Sequence, residues 1–312
     1  MPLLNRRYPA VLALSPRSGW MPKIMTAEAQ RPQRIAPAPT GFLGTCANPG
    51  CTSSWLQIWR SRSAPIFEGG WNCSPACTAE RVEAAVAREL EGRGTVLEQH
   101  RHRVPLGLLM LEQGWITSAQ LRSALEGQRE HKTGRVGHWL MAREGVSERL
   151  VARALGLQWS CPVLPLDAHD PEGMAPALPR LFVDAFGALP MRVAAGRLLY
   201  LGFEDRPDPV LALAAERMTG LRVESGLVEG SRFRAAHQRL LEARFPSVEL
   251  LEAASELALT RALARAVERA RPVEARLVRV HDCLWLRMWR RRHTGPLPET
   301  SGVADMIATL AG

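Results

Sequence analysis

The feature that most restricts the fold is an internal repeat of helical pattern between Pro105 and Gln158. Each of its two units runs through leucines spaced three and four residues apart, and each closes on a glutamine. This spacing places apolar side chains on one face of a helix, and a repeated unit of this kind buries that face against its neighbour. The sequence therefore predicts a helical subdomain over residues 103–160.

The residues after the repeat alternate between strand-like and helix-like patterns. Short apolar runs favour strands, and longer segments with helical spacing separate them. The expected elements are strands at Leu189–Met191, Arg197–Phe203 and Leu221–Val228, and helices at Pro209–Thr219 and Ser231–Arg244. Such alternation predicts a small α/β subdomain over residues 161–247.

Residues 248–312 are predicted to form a C-terminal extension made of a helix and a β-hairpin. Alanines and leucines at helical spacing predict a long helix from Val248 to Arg271. Two alternating runs, Glu274–Val280 and Cys283–Trp289, flank a turn and are typical of a hairpin. The whole chain is therefore expected to belong to the α+β class.

Four cysteines form two close pairs near the start of the chain. Four residues separate Cys46 from Cys51, three separate Cys73 from Cys77, and about twenty lie between the pairs. Two such pairs supply the tetrahedral sulfur shell that zinc prefers, whereas disulfides are rare in a cytosolic protein. We expect a structural zinc ion in a small module over residues 41–94, because four thiolates leave no open coordination position.

The formal charge of the chain is +9, and the excess lies mainly at its two ends. The leader, residues 1–40, is rich in proline, arginine and alanine without a sustained period, and it is expected to be disordered. No stretch approaches the roughly 18 apolar residues of a membrane helix. We therefore expect a soluble, cytoplasmic protein that does not span a membrane.

The two repeat units can be compared residue by residue with a tandem motif that opens on Arg-Leu-Gly and closes on glutamine. The first unit reads Pro105-Leu106-Gly107, Met110-Leu111, Gly114, Leu121, Leu125 and Gln128, and the second reads Arg135-Val136-Gly137, Leu140-Met141, Val151, Leu155 and Gln158. Pro105 replaces the first arginine, and Glu144 replaces the second mid-motif glycine. With the α/β segment that follows, residues 105–245 resemble the N-terminal domain, called MshEN, of type II secretion and type IV pilus assembly ATPases.

The resemblance implies that the tandem motif binds cyclic di-GMP, largely through apolar contacts. Backbone N–H groups at a helix N-terminus can approach a phosphate, and arginine can stack on guanine or hydrogen-bond to it. The implied ligand-binding residues are Leu106, Gly107, Leu111, Gln128, Arg135, Gly137, Leu140 and Gln158. The alternative is that the leucines serve only the core of the helical hairpins.

The sequence contains no signature of a known catalytic site. The secretion ATPases carry a phosphate-binding loop that ends in Gly-Lys-Ser or Gly-Lys-Thr, and neither Lys23 nor Lys132, the only lysines, lies in such a string. We therefore expect a protein that is not an enzyme and that regulates or bridges a secretion or pilus component. The alternative is a zinc-dependent nucleic-acid-binding protein that uses its basic ends, such as Arg287 and Arg290–Arg292.

Overall fold

The structure is a computed structural model in which residues 46–52, 65–91 and 103–311 are described. The predicted leader, residues 1–40, lies outside these ranges. The described residues combine helices with three separate β-sheets, so the predicted α+β class is confirmed. None of the described helices is both long and apolar enough to cross a membrane.

The cysteine module consists of a minimal hairpin and one helix. Its elements are β1 (Ile66–Phe67), β2 (Gly70–Trp71) and α1 (Pro75–Leu90). Helix α1 begins where the sequence provides a cap: the Ser74 hydroxyl accepts a hydrogen bond from the Cys77 N–H at 3.2 Å, and proline occupies the first turn. Helix α1 therefore begins at Pro75, directly after its capping serine.

The internal repeat forms four helices that pack around one apolar core. They are α2 (Leu106–Glu112), α3 (Ser118–His131), α4 (Val136–Glu144) and α5 (Glu148–Trp159). Thr117 and Gln120 form a capping box at the start of α3. The buried centre is built from the leucines and other apolar residues of all four helices. The helices predicted for the repeat are present.

The α/β unit contains a three-stranded sheet in the order β3-β4-β5. Its elements are α6 (Pro171–Met174), a 3-10 turn at Ala175–Ala177, α7 (Arg180–Ala185), β3 (Leu189–Ala194), β4 (Leu198–Phe203), α8 (Pro209–Thr219), β5 (Arg222–Leu227) and α9 (Gly230–Glu242). Strands β3 and β4 are antiparallel, while β4 and β5 are parallel, with α8 as their crossover. The alternation expected from the sequence is thus present.

The C-terminal extension is a four-stranded sheet with one helix. Its elements are β6 (Ser247–Ala253), α10 (Glu256–Ala270), β7 (Glu274–Val280), β8 (Cys283–Trp289), a 3-10 turn at Thr300–Gly302 and β9 (Val303–Leu310). The strand order is β6-β9-β8-β7, and the predicted hairpin of β7 and β8 is confirmed. The predicted long helix is wrong at its start, because residues 247–253 pair in parallel with β9 as an edge strand.

The C-terminal sheet lies between two apolar layers. On one face, Leu277 and Leu286 pack with α10 and with residues of the cysteine module such as Phe67 and Val86. On the other face, Trp285 packs with the core of the α/β unit. Residues on both sides of the predicted domain boundaries therefore belong to the same hydrophobic cores. The sheet joins the cysteine module to the α/β unit.

One carboxylate fixes the end of α1 against both neighbouring units. Glu89 is buried and accepts hydrogen bonds from Arg217 Nη2 at 2.6 Å, Arg217 Nη1 at 3.0 Å and the Arg279 backbone N–H at 3.0 Å. Burial opposes the ionisation of Glu89, but these hydrogen bonds and the Arg217 charge outweigh burial and hold the pKa of Glu89 below its ordinary value. Glu89 is therefore ionised at neutral pH and binds α1 to α8 and β7.

Candidate metal and ligand sites

The four cysteines of the module lie together, as predicted. The sulfur atoms of Cys46, Cys51, Cys73 and Cys77 all lie within 4.8 Å of one another. The Sγ atoms of Cys51 and Cys73 are 3.5 Å apart, and those of Cys73 and Cys77 are 3.6 Å apart. Both distances far exceed the length of a disulfide bond. A zinc ion with four sulfurs at about 2.3 Å separates neighbouring sulfurs by about 3.8 Å, so the cluster fits a tetrahedral cation.

Short local structures aim the sulfurs at a common point. Asn48 is buried, and its side-chain oxygen accepts a hydrogen bond from the Gly50 N–H at 3.1 Å, which closes the turn between the first two cysteines. The side-chain amide of Asn48 also donates to Glu80 of α1 at 2.6 Å, so this turn is tied to the helix. The second cysteine pair brackets the start of α1, where the helix dipole favours thiolates.

The two units of the helical repeat open in the same way. A shift of 30 residues relates Gly107 to Gly137 and Gln128 to Gln158. The Gln128 side-chain amide donates to the carbonyl oxygen of Gly134 at 2.9 Å, directly before the second opening. Gln158 donates to the carbonyl oxygen of Val104 at 2.8 Å, directly before the first opening. Each unit therefore ends by fixing the backbone at which the other unit begins.

The implied ligand-binding residues differ in their accessibility. Arg135 is exposed, and four side chains are half-buried: Leu106, Leu111, Gln128 and Gln158. Leu140 is fully buried in the helical core, so its side chain is not available to a ligand in this conformation. The two leucines and Arg135 can offer side-chain surface to a ligand, whereas the side-chain amides of the two glutamines already donate to backbone carbonyls.

The two glycines at the openings permit close helix packing. A Cβ atom on Gly107 would lie 2.5 Å from Leu121 Cδ1. A Cβ atom on Gly137 would lie 3.0 Å from Val151 Cγ1 and 3.3 Å from Leu106 Cδ2. These contacts are too close for a larger residue without movement of a neighbour, so the structure gives both glycines a packing role.

One loop of the α/β unit reaches both openings. Asp205 pairs with Arg135 at 2.5 Å, and the neighbouring Arg206 places its guanidinium 5.1 Å from the ring centre of Trp159. Arg103 stacks on the same ring at 3.6 Å. The loop after β4 therefore contacts the cation of the second unit and the tryptophan beside the first.

Sequence reasoning missed Trp159 and Arg206 as members of this site. Asp205 is near Asp208 in sequence, and such closely spaced aspartates are typical of turns. Asp208 has a role of this kind, because its side chain caps α8. The available signal for Trp159 was its position directly after the closing glutamine of the second unit.

The basic cluster near the C-terminus has one exposed arginine fewer than the nucleic-acid alternative expected. Arg287 is fully buried and bonds to Asp305, so it cannot contact phosphate, and its predicted place in that cluster is wrong. Strand β8 lies inside the sheet with both faces covered, so its side chains from Leu284 to Trp289 are all buried. Arg290, Arg291 and Arg292 follow the strand and are exposed.

No protein-family model and no curated protein matches the sequence. Among solved structures, similarity is found to MshE with cdg, which is cyclic di-GMP, with 26% identity over 44% of this chain and 99% of that chain and a TM-score of 0.36. Part of the chain is similar to an MshE-type domain. Two crystal forms of the XpsE N-terminal domain are also similar. The first has 23% identity over 44% of this chain and 91% of that chain, with a TM-score of 0.29. The second has 24% identity over 42% of this chain and 90% of that chain, with a TM-score of 0.23.

Proposed function

We propose that this protein is a non-catalytic regulator whose helical repeat binds cyclic di-GMP between its two openings and whose cysteine module holds a structural zinc ion. The observation that carries the proposal is the paired arrangement of the openings, each fixed by the closing glutamine of the other unit. Cyclic di-GMP itself consists of two identical halves, each with a guanine and a phosphate. A repeated site with two similar openings is matched to a ligand of that symmetry.

The side chains at the openings suit the two parts of each ligand half. Arg135 is exposed and carries a cation for phosphate or guanine. Arg103, stacked on Trp159, supplies a cation beside the first opening, where Pro105 has none. Leu106 and Leu111 are half-buried and offer apolar surface to a base.

Zinc in the cysteine module has a structural role in this proposal. Four sulfurs complete a tetrahedral shell and leave no position for a reactive water. The module packs α1 against the C-terminal sheet, so metal binding stabilises the shared core. The donor set thus fits a cofactor that orders the fold and takes no part in chemistry.

A second surface beside the first opening fits the role of an adaptor. Val104, Leu108 and Leu157 are 50%, 52% and 50% exposed, although all three are apolar. Val104 and Leu108 lie at the start of α2, and Leu157 lies on α5, which contacts α2. Exposed apolar residues on neighbouring helices favour protein contact. We propose that a secretion or pilus component is the partner and that the bound nucleotide regulates this contact.

The test is calorimetric titration of the full chain with cyclic di-GMP, with GTP as the control ligand. Arg135→Ala and Leu106→Ala should each weaken saturable binding by about tenfold, because each removes a contact worth about 1.4 kcal/mol. Arg261→Ala is the matched control, since it removes an exposed arginine from α10 without touching the repeat. No heat of binding at high micromolar ligand, or equal losses in the control, would refute the nucleotide site and leave the apolar surface as the functional one.

A further inference from the structure

A groove outside the proposed nucleotide site lies between the helical repeat and the α/β unit. It has a volume of about 510 Å³, within the usual range for binding pockets. Its walls come from α5, from the segment 163–166 and from the start of α9. None of its residues belongs to the set that the tandem motif implies.

The charge of the groove is positive. Arg149, Arg153 and Arg232 line it, and Glu229 is the only acidic residue among the described residues that do so. Glu229 lies 3.6 Å from Arg232, and among the described residues no carboxylate pairs with Arg149 or Arg153. Arg149 and Arg153 stand one helical turn apart, so their side chains share a face of α5. The groove therefore attracts an anionic partner.

The floor of the groove includes the open edge of a strand. Residues 162–164 extend the α/β sheet beyond β5, because the Leu164 N–H bonds to the Leu227 carbonyl at 2.7 Å and the Leu227 N–H bonds to the Pro162 carbonyl at 2.9 Å. In this parallel pairing, the N–H and C=O of Val163 point away from β5. Pro162 and Pro165 flank Val163 and lack N–H groups, so only a short partner strand can pair here.

We propose that this groove binds a short acidic peptide in extended conformation from a partner protein. Its backbone pairs with Val163, and its acidic side chains meet the arginines of α5 and α9. The backbone edge favours a peptide over a free phosphate, because a phosphate needs only the cations. The exposed Val163 side chain and the neighbouring Leu166 add apolar contact for the alternate residues of such a strand.

The probe for this site is a fluorescein-labelled peptide of alternating glutamate and valine, and the measurement is fluorescence anisotropy with the full chain. Arg149→Glu with Arg153→Glu should weaken binding by at least about tenfold, since opposite charges become like charges. The matched control is Arg261→Glu with Arg265→Glu, which makes the same charge change at the same spacing on an exposed face of α10. Binding to the control should equal that of the parent protein.

A second variant separates a peptide from a small anion. Val163→Pro removes the N–H that points away from β5, so it should weaken binding of the peptide. It should not change the binding of inorganic pyrophosphate to the arginines. Loss of peptide binding in both groove variants, with normal thermal unfolding, supports the proposal. Equal effects in the control pair, no binding of the peptide, or pyrophosphate binding without peptide binding would overturn it. We expect both groove variants to bind cyclic di-GMP as the parent protein does, whatever the result with the peptide, because the residues of the two sites do not overlap.

Discussion

The buried ion pair between Arg287 and Asp305 connects strands β8 and β9 of the C-terminal sheet, and breaking it should be costly. Arg287 and Asp305 are 0% and 2% exposed, and two parallel hydrogen bonds of 2.7 and 2.8 Å connect them. Arg287 also donates to the Pro176 carbonyl at 2.7 Å, and Asp305 accepts from Trp285 Nε1 at 2.8 Å. Every polar group of this network thus depends on its partners.

Asp305→Asn removes the charge while it keeps the shape. The guanidinium of Arg287 then stays buried without a counter-ion, and the new amide group opposes one of its N–H donors. The loss in free energy of unfolding should be about 3–5 kcal/mol, the cost of breaking a buried pair by removal of one partner. Urea denaturation followed by circular dichroism measures this loss.

Two comparisons test whether burial is the reason for the large loss in the free energy of unfolding. Asp205→Asn breaks an Arg–Asp pair whose side chains are 74% and 44% exposed, and it should cost about 1 kcal/mol or less. Adding Arg287→Met to Asp305→Asn removes the stranded cation and should recover part of the loss. If Asp305→Asn costs less than about 1 kcal/mol, or if the two changes simply add, the reasoning is refuted.

Three further predictions concern the other contacts described above. The purified chain should contain stoichiometric zinc by mass spectrometry, and Cys77→Ser or a strong chelator should lower the melting temperature; full stability without metal would contradict this. Gln158→Ala should destabilise the repeat by about 1 kcal/mol in chemical denaturation, because the Val104 carbonyl loses its hydrogen-bond donor. The same change should weaken the binding of cyclic di-GMP in calorimetry. Since the folded pKa of Glu89 is depressed, its stabilisation is present above the unfolded pKa of about 4.3 and is lost as the pH falls towards the folded value. Glu89→Gln should flatten this acid-side decline in melting temperature, and an unchanged pH profile would rule out the role of Glu89.

Local patterns in the sequence predicted the parts of the fold that depend on near neighbours. The cysteine cluster follows from two short spacings, and the repeat helices follow from apolar periodicity. The start of the C-terminal extension shows the opposite case. Val248 and Leu251 suit a helix as well as a strand, and their strand conformation depends on pairing with β9, more than fifty residues later.

The candidate ligand site was predictable only in part for the same reason. The motif located Arg135 and the closing glutamines, but the bond from Gln158 to Val104 spans 54 residues and follows from the packing of the units. Asp205 and Arg206 enter the site because the loop after β4 lies across the repeat, which no local pattern indicated. Arg287 likewise counted as a basic surface residue, and its burial results from the layers that cover both faces of β8.

The shared core of α1 and the C-terminal sheet has a consequence for the order of folding during synthesis. Val82 and Val86 of α1 pack in the same cluster as Met306 and Ala308, although more than two hundred residues separate them. Domains usually fold as they emerge from the ribosome, N-terminal first. Here the cysteine module emerges early, but its apolar face has no cover until α10 and β7, which pack against α1, have been translated. We expect a nascent chain that stops before Ser247 to present this face to chaperones.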